Sequence, residues 1–396
     1  MKILLIHQNF PGQFRELAPA WLACGHAVSA IGCTPPQALQ GPAWHGLSYY
    51  PYQCPPHRWR GQVLGDHLWR LSREQQLAPD LVIAHAGWGE ASVVKTIWPT
   101  VPLIVYPELW GSARALGMGF DNRRPPLTRS EHRAIERQNR ITAHAMSKAD
   151  ALVAPTAFQR DGFPEPWPER ITCIHEGVAL DRLRPDPRAS LLLPDGQLLD
   201  RSERVITYVS RRFEPLRGIH TVLAALPPLL QRNPGLQVVL VGGEGTGYGP
   251  DLDDPLQQLP PELDQRRLHR VGHLRHSQLT ALLQLSNVHV YLTYPYTLSW
   301  SVLEAMACGV PVVGNPNGPL DELIQHNHNG LLVDFNTPDQ LTDALQQLLD
   351  QPALRRRLGQ AARHSVEQHY SLATALARYD ALFNQLCPAA ACEPNP

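Results

Sequence analysis

The sequence predicts an α/β protein of two domains, each built on a doubly wound parallel sheet. Its 396 residues exceed what one hydrophobic core usually organises. Short apolar segments of strand length alternate with amphipathic stretches of helical length, which is typical of βα units. The alternation stops between residues 181 and 203, where prolines and a Leu-Pro-Asp-Gly turn occur. We therefore expect one domain over residues 1–190 and a second over residues 191–370.

The first half begins with a βα unit. The apolar run from Lys2 to Ile6 predicts a buried strand, and the amphipathic segment from Gln13 to Cys24 predicts a helix that ends at Gly25. Further strands are expected at Val28 to Gly32, Leu81 to Ala84, Leu103 to Tyr106 and Ala151 to Ala154, and helices at Leu64 to Leu77 and Ser130 to Lys148.

The second half repeats this pattern. Strands are expected at Val205 to Ser210, Gln237 to Val241, Val288 to Leu292, Val312 to Val313 and Gly330 to Val333, and helices at Ile219 to Gln231, Ser277 to Leu285, Trp300 to Cys308 and after Thr337. Open parallel sheets bind ligands at the carboxyl ends of their strands, so we expect the site in a cleft between the two halves.

Composition excludes several classes of protein. The formal net charge of -1 lacks the basic excess of a nucleic-acid-binding protein. The apolar run Ile3 to Ile6 is too short for a signal peptide or membrane anchor, so we expect a cytoplasmic chain with no membrane span. The seven cysteines include no Cys-x-x-Cys pair, which favours free thiols over a zinc or redox site.

The most informative segment runs from Tyr294 to Val313. A strand enters a polar loop, and the loop opens a helix that carries Glu304. Free backbone N–H groups at a helix start suit a sugar or phosphate oxygen, and a carboxylate just inside can hold ribose hydroxyls. The alternative is that Ser301-x-x-Glu304 is only a capping box.

This segment resembles glycosyltransferase family 4, whose retaining enzymes have the GT-B fold of two Rossmann-like domains. The family's Glu-x7-Glu motif continues as Ala-Met-Ala-x-Gly-x-Pro-Val, and the stretch from Glu304 to Val312 matches its second half residue for residue. The resemblance implies that Glu304 binds the donor ribose. The first glutamate, which usually holds the transferred sugar, is replaced by Tyr296.

The Tyr296 substitution predicts a pocket for a less polar sugar face, because a phenol offers one hydroxyl and a ring. The helix start at Leu298 and Ser299 can still offer backbone N–H groups, so sugar choice is expected to change without loss of catalysis. The alternative is that Tyr296 only packs against Trp300.

Two arginines follow the first strand of the second half. The segment from Tyr208 to Gly218 resembles the family's diphosphate-binding loop, with Arg212 and, in place of a lysine, Arg217. A departing nucleoside diphosphate builds negative charge, which fixed cations can stabilise without a metal. The alternative is that both arginines are solvated surface residues.

Two further segments are implied to bind the donor. Gly242 lies in a stretch that resembles the family's strand-end glycine loop, and Leu274 follows a turn whose backbone usually meets the nucleobase. Tyr248 stands where Gly-x-Gly-x-x-Gly would need its third glycine, which argues against a dinucleotide dehydrogenase. Asp251-x-Asp253 is interpreted as a solvated loop rather than a metal site.

In the first half, the loop from His7 to Gln13 contains Gly12, which would allow close approach of a phosphate or acceptor. His85 follows another strand and is a candidate for contacting the transferred sugar or the acceptor. These segments, with Tyr106-Pro-Glu108, resemble the N-terminal domain of a bacterial subgroup of the same family.

The resemblance implies a metal-independent, retaining transferase without a cofactor, whose second domain binds a nucleotide-sugar and whose first domain binds the acceptor. The acceptor is a glycan, a lipid-linked molecule or a small molecule, with no nucleic acid and at most peripheral membrane contact. Residues 371–396 are expected to form a helix that returns to the first domain, then a tail. The alternatives are a sugar-nucleotide epimerase on the same scaffold and a non-catalytic nucleotide-sugar-binding subunit.

Overall fold

The computed structural model describes residues 1–56, 58–74, 77–243 and 265–388. The chain divides into two compact units. Unit 1 comprises residues 1–111, 128–177 and 372–396, and unit 2 comprises residues 112–127 and 178–371. The main boundary therefore falls before residue 178, not at the predicted position 190, and the short segment 112–127 belongs to unit 2.

Unit 1 contains a seven-stranded sheet in which every neighbouring pair is parallel. Its strands are β1 (Lys2–Ile6), β2 (Ala27–Gly32), β3 (Ser48–Pro51), β4 (Leu81–His85), β5 (Leu103–Tyr106), β6 (Ala151–Ala154) and β7 (Ile171–Cys173). The strand order is β3-β2-β1-β4-β5-β6-β7. Apart from the exposed Lys2 and the buried His85, strands β1 and β4 consist of buried apolar residues on both faces, as expected for a parallel sheet.

The helices of unit 1 are α1 (Leu17–Ala23), α2 (Arg60–Arg73), α3 (Val94–Ile97), α4 (Arg129–Lys148), α5 (Ala157–Asp161) and the C-terminal α11 (Leu372–Leu386). A capping box between Thr128 and Glu131 starts α4, which explains why this helix agrees closely with its predicted range. Helix α11 packs on the first sheet, where the rings of Trp21 and Tyr379 lie 5.4 Å apart. The last helix of the chain thus belongs to unit 1.

Unit 2 contains a six-stranded parallel sheet. Its strands are β10 (Arg204–Arg212), β11 (Leu236–Gly243), β12 (Leu268–Arg270), β13 (Val288–Tyr291), β14 (Val312–Gly314) and β15 (Leu331–Leu332), in the order β12-β11-β10-β13-β14-β15. Its helices are α6 (Ile219–Arg232), α7 (His276–Leu285), α8 (Trp300–Ala307), α9 (Pro338–Asp350) and α10 (Pro352–His369). The prediction of two α/β domains with parallel sheets is confirmed.

The segment predicted to lack regular structure contains an antiparallel hairpin, β8 (Ser190–Leu192) with β9 (Leu198–Asp200). Strands of three residues are too short to show periodicity in the sequence. Leu191 and Leu199 join the same apolar cluster as Val239 of β11. This packing explains why the boundary between the units lies before the hairpin rather than within it.

Within the described ranges, no helix combines the length and apolar character that crossing a bilayer requires. No disulfide links the cysteines of these ranges either, which agrees with the expectation of unpaired thiols.

Candidate active site

Each sheet has one place where the strand order reverses direction, which is where open α/β sheets bind ligands. In unit 1 the reversal lies between β1 and β4, and in unit 2 it lies between β10 and β13. His7 follows β1 and His85 ends β4, while Arg212 ends β10 and Arg217 lies in the turn after it. The predicted residues therefore gather at the ligand-binding edge of each sheet.

Arg217 is held in place by three oxygen atoms. Its Nη1 group donates to Tyr291 Oη at 2.7 Å, to Thr293 Oγ1 at 2.8 Å and to the Thr297 carbonyl at 3.0 Å. Its Nε and Nη2 groups have no hydrogen-bond partner among the described residues. The guanidinium is thus pre-positioned while two of its donor groups are left for an anion.

Gly218, the residue after Arg217, sets this geometry. It has φ +67°, and a Cβ there would come within 2.6 Å of Leu292 Cβ, so the turn between β10 and α6 requires glycine.

Arg212 lies at the end of β10, where it pairs in register with Gly243 of β11. Its side chain is partly exposed and forms no hydrogen bond or ion pair with the residues that the structure describes. Arg212 therefore differs from Arg217 in lacking a support that fixes its guanidinium.

Glu304 lies in the interior of α8, and 3% of its surface is exposed. Its Oε1 atom is 3.0 Å from His276 Nε2, at the start of α7. The capping-box alternative is wrong, because the N-cap of α8 is Ser299, whose side chain accepts from the Ser301 N–H. A buried carboxylate that is hydrogen-bonded to an imidazole is a suitable acceptor for ligand hydroxyls.

The loop before α8 brings Tyr296, Leu298 and Ser299 beside Arg217. The Arg217 guanidinium carbon lies 6.0 Å from the centre of the Tyr296 ring, within cation–π range. The Ser299 N–H, which we expected to be free for the ligand, donates to Tyr291 Oη at 2.8 Å. The Leu298 N–H has no hydrogen-bond partner among the described residues, so this part of the helix start remains open.

In unit 1, both ring nitrogens of His85 are used within the domain. The Gly87 N–H donates to Nδ1 at 3.0 Å, so Nδ1 acts as an acceptor and Nε2 carries a ring proton. Nε2 in turn lies 3.0 Å from Glu108 Oε2. His85 is 2% exposed. The structure thus gives His85 a role in positioning Glu108 and leaves neither ring nitrogen for a sugar.

Glu108 is the centre of this polar cluster, although it was not among the predicted site residues. Its other carboxylate oxygen accepts from Gln13 Nε2 at 3.0 Å. Burial acts to raise the pKa of Glu108, but the hydrogen bond with His85, the electrostatic effect of the His85 and His7 rings and the hydrogen bond from Gln13 outweigh it and lower that pKa. Glu108 is therefore ionised at neutral pH.

His7 keeps one open position. Its Nδ1 accepts from the Asn9 N–H at 3.0 Å, so its proton lies on Nε2, and this buried atom has no hydrogen-bond partner among the described residues. Gln13 Oε1 is likewise buried and has no partner in the part of the chain that the structure describes. Burial and the nearby His85 lower the pKa of His7 to about 3, so the ring is neutral. A donor and an acceptor are thus both unpaired in the same cluster.

Gly12 has a packing reason to be glycine. With φ +44°, its absent Cβ would lie 2.4 Å from Cε1 of His7. The space expected for a phosphate or acceptor on that side is taken by the imidazole.

Two family models match the chain. The model described as "Glycosyl transferase family 4 group" matches residues 26–183, and the model "Glycosyl transferases group 1" matches residues 194–365. Each half of the chain therefore matches a glycosyltransferase model, the first half that of family 4 and the second half that of group 1. The predicted resemblance to this glycosyltransferase family is confirmed at this level, and the role of Tyr296 in place of the first glutamate stays a prediction.

Curated relatives of this chain include D-inositol 3-phosphate glycosyltransferases. D-inositol 3-phosphate glycosyltransferase of Rhodococcus jostii is 28% identical over 271 residues, which cover 67% of this chain and 57% of the relative. That of Mycobacterium avium is 31% identical over 241 residues, covering 60% and 53%. The matched part thus spans little more than half the length of these relatives.

Solved structures agree with the fold. Sucrose-phosphate synthase from Thermosynechococcus elongatus superposes with a TM-score of 0.76 at 20% identity and covers 98% of this chain and 100% of its own. Anabaena HepE in complex with UDP and glucose gives a TM-score of 0.71 at 18% identity, with coverage of 97% and 100%. The predicted GT-B fold class is confirmed.

The remaining predicted donor-site residues, Gly242 and Leu274, lie near the carboxyl ends of β11 and β12. Gly242 has φ +155°, and a Cβ there would lie 2.6 Å from the Ser210 carbonyl oxygen, so glycine lets β11 approach the end of β10. Its N–H donates to the Gly272 carbonyl at 3.0 Å. Leu274 packs in the apolar cluster beneath this edge. Their contact with a nucleobase stays a prediction.

The Asp251-x-Asp253 segment lies outside the described residues. Within the ranges that are described, no group of three or more His, Cys, Asp or Glu side chains is placed to hold a metal ion. Metal independence stays a prediction.

Sequence reasoning missed Tyr291, Thr293 and His276. Tyr291 and Thr293 lie at the end of β13, beside Arg217 in space but more than 70 positions later in the chain. The position of Thr293 just after a strand at the switch point was the one available signal. No sequence signal indicated His276, because its partner Glu304 lies on a different helix, 28 positions later in the chain.

Proposed function

We propose that this glycosyltransferase is a retaining enzyme that moves a sugar from a nucleotide-sugar, bound by unit 2, to an acceptor hydroxyl, bound by unit 1. The observation that carries the proposal is the fixed guanidinium of Arg217 at the switch point of the second sheet. Three protein oxygens hold it, and its Nε and Nη2 groups have no partner in the described part of the chain.

Charge development explains the need for such a group. When the bond between the anomeric carbon and the donor phosphate breaks, negative charge collects on that phosphate. A cation fixed beforehand stabilises the charge without reorganising during the reaction. Arg217 supplies this charge, and Arg212 adds a second, more adaptable one. The two arginines take the part that a divalent metal has in other transferases, so no metal is required.

Retention requires that the acceptor attack on the face from which the phosphate leaves. The new bond joins the acceptor oxygen to the anomeric carbon, and the acceptor proton passes to an oxygen of the departing phosphate. This route needs no enzyme nucleophile, so the arrangement of Arg212 and Arg217 is sufficient for it.

Glu304 binds the donor ribose in this proposal. Its carboxylate is buried and is oriented by His276 at 3.0 Å. A carboxylate accepts two hydrogen bonds from neighbouring hydroxyls at modest cost, since it is already desolvated in the free protein. Tyr296, next to Arg217, lies where it can pack against the transferred sugar and alter sugar choice.

The cluster in unit 1 suits an acceptor hydroxyl. A hydroxyl both donates and accepts, which complements the unpaired Gln13 Oε1 and His7 Nε2–H. Glu108, ionised and held by His85, can accept from a second hydroxyl. A polyhydroxylated acceptor therefore fits, whether it is a glycan, a lipid-linked sugar or a small molecule. Cytoplasmic synthesis of a bacterial glycan or glycoconjugate is the setting that we propose.

A donor screen tests this proposal. Thermal shifts should be recorded with UDP-, GDP-, ADP- and dTDP-sugars, each with and without EDTA, for wild type and Arg217→Ala. We expect one nucleotide to stabilise wild type, with EDTA having no effect, and Arg217→Ala to lose most of the shift.

Product analysis then separates the alternatives. Transfer with retained anomeric configuration supports the proposal. An epimerised nucleotide-sugar formed without acceptor would indicate an epimerase, and donor binding without turnover or hydrolysis would indicate a binding subunit. An inverted product would contradict the retaining mechanism.

A further inference from the structure

A polar pocket lies in unit 2 at the amino ends of the parallel strands, whereas Arg217 lies at their carboxyl ends. Its volume is about 240 Å³. Its lining includes residues just before β13 and β14, Arg201 from the turn that leads into β10, and two arginines from the first turns of α10. These residues are Arg201, Asn287, Gly309, Pro311, Arg355 and Arg356. Strand β10 spans nine residues, so the two edges are about 25 Å apart at the usual rise of about 3.3 Å per residue. The pocket is therefore separate from the donor site.

Positive charge dominates this pocket. Three arginines line it, and Arg204 lies close enough to affect Arg355. None of the four forms an ion pair with a carboxylate in the described part of the chain. Burial, followed by the charges of Arg204, Arg356 and Arg201, lowers the pKa of Arg355. Like charges gathered without counter-charges are relieved by a bound anion.

Two of the guanidiniums are fixed by backbone carbonyls. Arg355 Nη1 donates to the Leu348 carbonyl at 2.8 Å, and Arg201 Nη1 donates to the Gln284 carbonyl. Their remaining N–H groups have no hydrogen-bond partner among the described residues. These arginines are therefore anchored on one side and open on the other, as in a built anion site.

Asn287 adds uncharged donors. Its Oδ1 accepts from the Val205 N–H at 2.6 Å, which fixes the orientation of the amide. Its Nδ2 group has no partner in the described ranges, and Asn287 is one of the residues that line the pocket. The volume is below the roughly 300–1,000 Å³ of pockets for drug-sized ligands, which favours a small ligand.

We propose that this pocket binds a small phosphate anion, inorganic phosphate or diphosphate or the phosphate group of a small ester, through Arg201, Arg355, Arg356 and Asn287. The site is independent of the donor site and of the transfer reaction.

Calorimetric titration at constant ionic strength tests the proposal, with inorganic phosphate or diphosphate as the probe. The protein should carry Arg212→Ala and Arg217→Ala, so that the donor site does not contribute. We expect saturable binding that weakens at least tenfold with Arg355→Gln. Arg356→Gln should have a similar effect, and it provides the test if loss of the Arg355 carbonyl contact impairs folding.

The matched control is Arg357→Gln, on the same helix but outside the pocket, where Arg357 donates to the Asn327 carbonyl. It should change the affinity by less than twofold. An equal loss with Arg357→Gln, or equal binding of chloride, would show that only general electrostatics acts. Absence of saturable binding in the donor-site variant would overturn the proposal.

A lipid headgroup offers the same chemistry. Co-sedimentation with phosphatidylglycerol vesicles distinguishes the two sources of phosphate. We expect no sedimentation with vesicles, and binding to vesicles without binding of free phosphate would overturn the proposed ligand.

Discussion

The two switch points share one topology but carry different chemistry. In unit 1, two imidazoles and a glutamine surround the carboxylate of Glu108. In unit 2, Arg217 is fixed beside the ends of β10 and β13, and Arg212 is the last residue of β10. The first arrangement complements hydroxyl groups, and the second complements phosphate. Duplicate folds thus acquire different ligands through a few side chains at the strand ends.

The two regions also differ in how their groups are held. Glu108 is positioned by other side chains of the cluster, His85 and Gln13. Arg217 is positioned by two hydroxyls and a backbone carbonyl. A substitution of Arg217 therefore removes the group proposed to bind the phosphate, whereas a substitution of His85 changes the position of Glu108.

The largest expected effect is that of Arg217→Ala. Loss of a pre-positioned charge should reduce kcat/KM by the equivalent of about 2–4 kcal/mol. Arg212→Ala should have a smaller effect, because no described residue fixes its guanidinium. Steady-state kinetics with saturating acceptor measures both, with Arg357→Ala as the control. Equal effects of Arg212→Ala and Arg357→Ala would remove Arg212 from the site.

Acid should destabilise both units through a buried histidine in each. Burial lowers the pKa of His7 to about 3 and that of His289 in β13 to about 4, against the usual 6.5 of histidine. As the pH falls, these two histidines are protonated in the unfolded chain before they are protonated in the folded protein. Their contribution to the free energy of unfolding is therefore fully present above pH 6.5 and is lost as the pH falls toward about 4 and about 3. His7 alone should cost about 2 kcal/mol at pH 5.

Urea unfolding at pH 7.5 and pH 5 measures this loss. His7→Gln and His289→Gln should each reduce the difference between the two pH values, whatever their effect at pH 7.5. A difference that is unchanged in His7→Gln would show that His7 is not the acid-sensitive group of unit 1.

Glu304→Gln should raise the donor KM about tenfold, the cost of weakening one or two charged hydrogen bonds. Circular dichroism and thermal melting show whether the variant is folded. His276→Gln serves as the matched variant, since it changes the orientation of Glu304 but keeps its charge, and it should have the weaker effect. If Glu304→Gln changes only thermal stability, the ribose-binding role is wrong.

The smallest effect is expected at Tyr296. Tyr296→Phe and Tyr296→Glu should change the order of preference among several sugars on one nucleotide, with kcat/KM values within about tenfold of wild type. The measurement is kcat/KM for each sugar in the three proteins. Identical preferences at similar rates would show that Tyr296 has no part in donor recognition.

Much of the fold was predictable because its signals are local. Strands such as Lys2–Ile6 and Leu103–Tyr106 are apolar runs bounded by turn residues, and the structure has them at the predicted positions. The hairpin Ser190–Leu192 with Leu198–Asp200 was missed because its strands are short and depend on packing against the second sheet.

The sequence by itself determined the two α/β halves, the switch-point loops and the candidates Arg212, Arg217 and Glu304, since each follows from a local pattern or a contiguous motif. Only the tertiary structure decided which atoms remain available. It shows that Ser299 caps α8, that both nitrogens of His85 are occupied, and that Nε2 of His7 has no partner within the described ranges. Hydrogen bonds between residues far apart in the chain depend on distances and angles that no local pattern specifies.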